Sequence, residues 1–281
     1  MVNKFRLTSN AFEREKEEER INPTKTIFLS LEGTDTEKEY IYGLKKNKIQ
    51  LGFNTNIQIE TLNRQKRDGC TAPEQVIELL EEYLLLRNES IDSQIKDILD
   101  NDYTEDTIND YIYNPNNLSH DLIEEINAKL SNIGYDLNYK KYLKNMSDSN
   151  DLFGIVIDRD NWCNLEYGIN HCKDKGYLIF LSNPCFELWL LLHWEDVSLF
   201  SKEMLDEIKI NRKVSNKHTY TSCLLSKVAH HNKTSISFDA KYLDKVDNAI
   251  KNAKKLETNL DNLLENIGSN FVDLLTLLKT N

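Results

Sequence analysis

Four short runs of apolar, β-branched and aromatic residues alternate along this chain with segments that have helical periodicity. The runs cover residues 24–33, 57–63, 152–160 and 177–183. They are short enough to be strands, and the intervening segments are long enough to be helices. Strands joined through helices pair in parallel and carry the helices on their faces. The sequence therefore predicts an α/β fold with a mostly parallel sheet flanked by helices.

Local signals place the helix ends. Thr34 and Glu37 have the spacing of a capping box at the start of the first helix. Pro73 suits the first turn of the second helix. The last third of the chain predicts helices over 242–260 and 270–280.

Residues 91–150 differ in composition from the rest of the chain. They are rich in Asn, Asp and Tyr, and they contain twelve acidic residues and five lysines. Their apolar periodicity is weak, which predicts a partly helical insertion with loops. We therefore divide the chain into an N-terminal lead-in (1–23), a core domain (24–90 and 151–281) and an acidic insertion (91–150).

Composition excludes some classes of protein. The first residues lack the apolar region of a signal peptide, and the longest apolar stretch is too short to span a bilayer, so we expect a cytoplasmic protein without membrane contact. The five cysteines lack metal-ligand spacing and are expected to be reduced. The net charge of −11 is concentrated in the insertion, and basic clusters occur elsewhere, so a nucleic-acid substrate remains compatible with it.

Carboxylates follow three of the predicted strands. Glu32 ends the first strand, Asp158 and Asp160 end the third, and Glu187 follows the fourth within one helical turn. The carboxyl ends of parallel strands share one edge of the sheet, where ligands bind. Carboxylates held about 4 Å apart repel, and Mg²⁺ removes that cost because it prefers hard oxygen ligands. Each carboxylate taken alone is equally typical of a turn or a helix cap.

The fourth strand leads directly into a helix. With Asn183 as N-cap and Pro184 as the first helical residue, Glu187 lies beyond the capping-box position. We interpret it as a second metal ligand or a residue that orients a water molecule, although stabilisation of the helix dipole is the structural alternative. His193 is interpreted as structural.

Three motifs together resemble the RloB/AbiLii family of Toprim-fold proteins. They are "EGTDTEKEY" after the first strand, "DRD" after the third and "SNPCFELWLLLH" at the fourth, and the resemblance extends over about residues 24–280. The third motif is the most specific of the three. The segment "KHTYTSCLL", which begins at Lys217, loosely matches a Lys-and-Tyr region of that family. Residues 80–150, which include the polar insertion, depart from the family pattern, and nothing is carried over to them.

The resemblance implies a Toprim catalytic core. It implies that Glu32 is a general acid/base or metal ligand, and that Asp158 and Asp160 bind Mg²⁺ (or Mn²⁺). It also implies one half of a bacterial anti-phage pair that acts by abortive infection, with an OLD-like or ABC-type ATPase as partner. Related effectors are nucleases, so the expected substrate is tRNA, other RNA or DNA.

Other residues complete the predicted site. We expect Asn183 to fix the strand–helix turn, and Arg159 and Lys217 to contact phosphate or shape the site. The alternative is a non-catalytic Toprim-like subunit that binds nucleotide or nucleic acid and regulates the ATPase. A phosphotransfer enzyme is disfavoured because the chain has no P-loop or Rossmann glycine pattern.

Overall fold

A computed structural model describes most of the chain. The described residues are 25–33, 35–62, 72–88, 90–135, 137, 140, 150–159, 164–216, 218–230 and 236–280. The predicted lead-in, Thr34, Asp160 and Lys217 lie outside them. The described residues divide into two units: a sheet unit of residues 25–61, 72–77 and 150–280, and a helical unit that includes residues 78–140 with the gaps given above.

A five-stranded sheet organises the sheet unit. Its order is β2-β1-β3-β4-β5; β1 pairs in parallel with β3, β3 pairs in parallel with β4, and β5 is antiparallel to β4. The strands are β1 (Lys25–Leu31), β2 (Ile57–Leu62), β3 (Leu152–Asp158), β4 (Leu178–Asn183) and β5 (Gly268–Ser269). The predicted fold class is confirmed. The sequence did not reveal β5, since two residues carry no periodic signal.

Helices flank this sheet and form the other unit. They are α1 (Thr36–Lys46), α2 (Pro73–Asn88), α3 (Ile91–Leu99), α4 (Glu105–Tyr113), α5 (His120–Asn132), α6 (Leu165–Lys175), α7 (Phe186–Leu191), α8 (Lys202–Ile210), α9 (Tyr220–Ala229), α10 (Phe238–Lys241), α11 (Val246–Ala253), α12 (Leu260–Leu263) and α13 (Phe271–Lys279). In the described part of the chain, no helix is long and apolar enough to cross a membrane.

Two predicted helix starts are wrong. The N-cap residue of α1 is Asp35, so Glu37 is the second helical residue and not the third, which is the position that a capping box uses. The N-cap of α7 is Cys185, and the helix begins at Phe186 rather than at Pro184. The helix thus starts one residue later than predicted in α1 and two residues later in α7.

The predicted continuous helix over 242–260 is also wrong, because α11 ends at Ala253. Beyond it the backbone of Glu257 pairs with β5: its N–H donates to Ile267 O, and its carbonyl accepts from the N–H of Ser269. Tertiary pairing therefore overrides the helical propensity of this segment.

The acidic insertion is more regular than its sequence indicates. Its described residues form α3, α4 and α5, and each helix buries apolar residues three or four positions apart, among them Ile91, Ile95 and Leu99 on α3. Ser119 and Thr104 cap two of these helices through their side chains. Most of the acidic side chains are exposed. The assignment of 91–150 as an insertion into one core domain stays a prediction.

An aromatic cluster centred on Tyr40 lies in the core of the sheet unit. The Tyr40 ring contacts the rings of Phe186, Trp189, His193 and Phe271, all fully or almost fully buried. His193 is bonded at both ring nitrogens: Nδ1 lies 3.1 Å from Trp189 O, and Nε2 lies 2.9 Å from the Tyr40 hydroxyl. A carbonyl only accepts, so Nδ1 carries the proton and Nε2 accepts from tyrosine. This arrangement supports a structural role.

The buried histidine predicts a pH dependence of stability. Burial lowers the pKa of His193 to about 3, below its ordinary value near 6.5. The unfolded chain therefore binds one more proton between these values, and stability falls as the pH drops from 6.5 toward 3. We expect this residue to lower the free energy of unfolding by about 1–2 kcal/mol between pH 7 and pH 5.

Urea unfolding at several pH values measures this contribution. His193→Gln removes the titration and should flatten the dependence, whereas the exposed His120→Gln should keep it. Parallel curves for wild type and His193→Gln would contradict the assignment of a neutral buried imidazole.

Candidate functional site

The carboxyl ends of β1 and β3 bring two predicted site residues together. Leu31 is paired with Val156, and the next residue, Glu32, donates its backbone N–H to Val156 O. Asp158 is the last residue of β3 and is paired with Ser182 of β4. The pairing register of the strands therefore brings these strand ends to one edge of the sheet.

A direct hydrogen bond links these two residues. Glu32 Oε2 accepts from the backbone N–H of Asp158 at 2.9 Å. Glu32 is only 9% exposed, so its carboxylate is held between the strands instead of in solvent. Asp158 Oδ1 in turn accepts from the backbone N–H of Phe186, the first residue of α7, at 2.8 Å. Backbone donors thus fix the orientation of both carboxylates.

These bonds are compatible with metal binding. A carboxylate has about four lone-pair sites on its two oxygens, so one accepted N–H does not by itself exclude a metal. N–H donors also stabilise the charged form of a carboxylate, which is the form that binds a cation. The pair therefore provides oriented, anionic oxygen atoms at a sheet edge.

A third carboxylate, Glu37, packs against the turn between β1 and α1. Glu37 is 8% exposed, and a Cβ added to Gly33 would lie 1.7 Å from Glu37 Oε2. The glycine after Glu32 thus makes room for a second buried glutamate. The sequence pattern indicated that Glu37 caps its own helix, so its packing against Gly33 was not predicted.

Two backbone carbonyls of the C-terminal region hold Arg159 and Asn183 in place. Arg159 Nε donates to Leu264 O at 2.8 Å, and Asn183 Nδ2 donates to Leu263 O at 2.6 Å. Asn183 therefore ties the end of β4 to α12, and it is not the N-cap of α7. The predicted phosphate contact of Arg159 stays a prediction.

Asn270 is a positioning residue that sequence reasoning missed. Its side-chain amide makes two hydrogen bonds to one edge of β4, accepting from Leu181 N at 2.6 Å and donating to Ile179 O at 2.8 Å. The amide acts as an additional peptide group at the edge of the sheet. An Asn directly before the apolar segment that begins at Phe271 was the available signal, but its partners are 89 and 91 residues away.

Glu187 lies in a separate, shallow pocket of the sheet unit. The pocket is lined by Thr36, Glu187, Leu190, His218, Ser222, Leu225 and Ser226. Glu187 is partly exposed and belongs to the first turn of α7. The structure places it beside α1 and α9 and records no contact of Glu187 with Asp158, so its predicted place in the metal site stays a prediction.

The donor set is consistent with Mg²⁺ in chemistry. Glu32 and Asp158 provide hard oxygen ligands, and one or two carboxylates with substrate phosphate oxygens commonly hold this ion. No group of three or more His, Cys, Asp or Glu side chains suited to a metal occurs in the part of the chain that the structure describes. Asp160, the third predicted ligand, lies outside that part.

Comparison with known proteins identifies a family for this chain. A family model described as RloB-like protein matches residues 27–278. No curated protein and no solved structure matches the chain. The matched region includes both strand ends of the candidate site and the pocket that contains Glu187.

Proposed function

Since this chain belongs to the RloB-like protein family, we propose that it is a metal-dependent nuclease with a Toprim-like core. Its substrate is the phosphodiester backbone of tRNA, other RNA or DNA. In this proposal it is the effector of a two-component anti-phage system that acts by abortive infection, and its partner is an OLD-like or ABC-type ATPase.

The observation that carries the proposal is the bond between Glu32 and the backbone of Asp158. It holds the Glu32 carboxylate against the backbone of Asp158, where two neighbouring parallel strands end, at the edge where α/β folds bind ligands. Two carboxylates anchored at neighbouring strand ends form a set of hard oxygen donors that suits a divalent ion.

The roles follow from the position of each residue. Glu32, Asp158 and Asp160 would hold Mg²⁺ or Mn²⁺, which when bound supplies Lewis-acid polarisation of the phosphodiester and a lowered pKa of bound water. Glu32 keeps a fixed orientation because it is buried and bonded. Asn183 keeps the end of β4 in register, and Glu187 orients substrate or water from the neighbouring pocket.

The non-catalytic alternative has one observation in its favour. The hydrogen bonds of Glu32 and Asp158 also satisfy backbone N–H groups at the strand and helix ends, which is an ordinary structural use of a carboxylate. In that case the chain binds nucleotide or nucleic acid and regulates the ATPase without cleaving anything.

Purification of the protein with the ATPase encoded alongside distinguishes these functions. We expect the complex to cleave tRNA or DNA in Mg²⁺ or Mn²⁺, and cleavage to stop in EDTA because the carboxylates alone do not activate water. Sequencing of RNA and DNA ends from cells that express the complex identifies the substrate. Binding that persists in EDTA, without cleavage under any metal condition, would support the regulatory subunit instead.

A further inference from the structure

The pocket that contains Glu187 presents hydrogen-bond acceptors. Ser226 Oγ donates its proton to Ser222 O at 2.8 Å, and Ser222 Oγ donates its proton to Thr219 O at 3.3 Å. Both serines line the pocket, so their hydroxyl oxygens offer a ligand lone pairs and no further proton. Glu187 adds two carboxylate oxygens to the same lining. A ligand that fits this set must itself supply hydrogen-bond donors.

The imidazole of His218 has the same polarity. Its Nδ1 lies 3.2 Å from Ser222 Oγ, whose own proton is directed at Thr219 O. In the neutral ring Nδ1 therefore donates to Ser222, and Nε2 is left as an acceptor. The carbonyl of His218 accepts from the backbone N–H groups of Val214 and Ser215, so a short hairpin fixes the backbone that carries the ring.

Glu187 differs from other glutamates of this region because its carboxylate has no partner. Among the residues that the structure describes, no hydrogen bond or ion pair reaches the Glu187 side chain, which is partly exposed. By contrast, Glu39 accepts two backbone N–H groups at 2.9 Å each, and Glu207 lies 2.9 Å from Arg212 Nε. The Glu187 carboxylate is therefore available to a cation that comes from another molecule.

The lining of the pocket favours a guanidinium group as that cation. Leu190 and Leu225 supply a buried apolar floor, and the described lining contains no Lys or Arg. A guanidinium is planar and weakly hydrated, so it can lie on apolar side chains while two parallel N–H groups bind a carboxylate. A metal ion fits less well, because the described lining offers it only the carboxylate of Glu187 and the imidazole of His218.

An exposed apolar residue beside the pocket indicates a protein as the source of the guanidinium. Val214 is 55% exposed, and its backbone N–H donates to the carbonyl of the pocket residue His218 at 2.9 Å. Arginine is enriched at protein interfaces, where it lies among apolar side chains. A free guanidino compound would leave Val214 in water, whereas a peptide that carries an apolar residue next to its arginine would cover it.

We propose that this pocket binds an arginine side chain of a partner protein, and that Val214 contacts an apolar residue next to that arginine. The Glu187 carboxylate accepts two N–H groups of the guanidinium, and Ser226 Oγ accepts a third. The inference concerns a protein contact and goes beyond the proposed nuclease activity. While the arginine is bound, Glu187 is closed to substrate and water, so the partner regulates that role of Glu187.

An NMR titration of the full chain in EDTA tests the pocket without any cleavage. The probe is the peptide acetyl-Leu-Arg-Leu-amide, and the readout is the shift of the methyl signals of Leu190 and Leu225. We expect saturable binding with a Kd of about 1 mM, and about threefold weaker binding of acetyl-Leu-Lys-Leu-amide. Glu187→Gln should weaken binding of the arginine peptide about tenfold. Glu166→Gln, which removes an exposed carboxylate from α6, should bind as wild type does.

Agmatine, a free guanidino compound, separates the two sources of the guanidinium. Val214→Ser should weaken binding of the arginine peptide about threefold and leave binding of agmatine unchanged. If agmatine binds more tightly than the peptide and Val214→Ser affects neither, the pocket belongs to a small molecule and the partner protein is refuted.

Three other results would overturn the arginine site. They are the absence of a saturable shift in wild type, equal affinity of Glu187→Gln and wild type for the arginine peptide, and binding of Mg²⁺ or Zn²⁺ in place of the peptide when EDTA is omitted. Methyl signals far from the pocket should stay unchanged in each variant, which shows that the variants are folded. Failure of the protein to cleave nucleic acid would refute the nuclease and leave these titrations as they are.

Discussion

Glu32→Gln and Asp158→Asn should each reduce metal-dependent cleavage more than about a hundredfold, without unfolding the protein. Both changes remove a negative charge but keep an oxygen at the carboxylate position. The amide oxygen of each can still accept the backbone N–H that the carboxylate accepts now, from Asp158 and Phe186 respectively. Metal affinity therefore falls while the hydrogen bonds that hold the sheet edge remain.

Cleavage rates at several Mg²⁺ concentrations measure this effect. Glu166→Gln and Asp174→Asn are matched controls, because they remove the same charges from exposed positions of α6. The controls should cleave at the wild-type rate, and all four variants should unfold near the wild-type temperature. Full activity of Glu32→Gln or Asp158→Asn would refute the assignment of the catalytic site.

The placement of the site at a strand edge could be predicted from sequence because it depends on two regular properties. Parallel strands that alternate with helices align their carboxyl ends; Glu32 directly follows one such strand, and Asp158 is the last residue of the strand paired with it. The register in which β1 and β3 pair then brings the two residues into contact. The type and order of the elements that carry these residues follow from the same periodicity.

The residues that hold the site in place could not be predicted in this way. Asn183 and Arg159 bond to the carbonyls of Leu263 and Leu264, which are 80 and 105 residues away in sequence. These partners are the last residue and the C-cap of α12, between the two helices that the sequence predicts over 242–260 and 270–280. Local propensity carries no signal for bonds of this range, because the energy that selects them is tertiary.

The first residue of α7 was also mispredicted because a distant residue takes part. Asn183 and Pro184 are typical helix-start residues, yet α7 begins at Phe186 because the N–H of that residue is taken by Asp158. A carboxylate from another strand replaces the local cap. Sequence rules that treat each cap as a local event therefore misplace helices at functional edges, where distant side chains compete for the same N–H groups.

Gly268→Ala should lower the free energy of unfolding by about 2–3 kcal/mol and loosen the end of β4. A Cβ at this position would lie 1.9 Å from Glu257 O, a backbone atom that cannot rotate away. The clash must move either β5 or the Glu257 segment. Because Gly268 is paired with Asn183, and Ser269 Oγ lies 2.8 Å from Ser182 Oγ, a shift of β5 reaches the strand that borders the candidate site.

Gly176→Ala provides the comparison that separates steric clash from loss of glycine itself. Gly176 has a φ of 73° and no atom within 4 Å of an added Cβ, so its replacement costs only the strain of the left-handed conformation, about 1 kcal/mol. Urea unfolding measures both costs, and hydrogen exchange of residues 178–183 should accelerate in Gly268→Ala alone. Equal costs and unchanged exchange would mean that β5 does not hold β4, and that Asn183 keeps its position through α12 without help from the fifth strand.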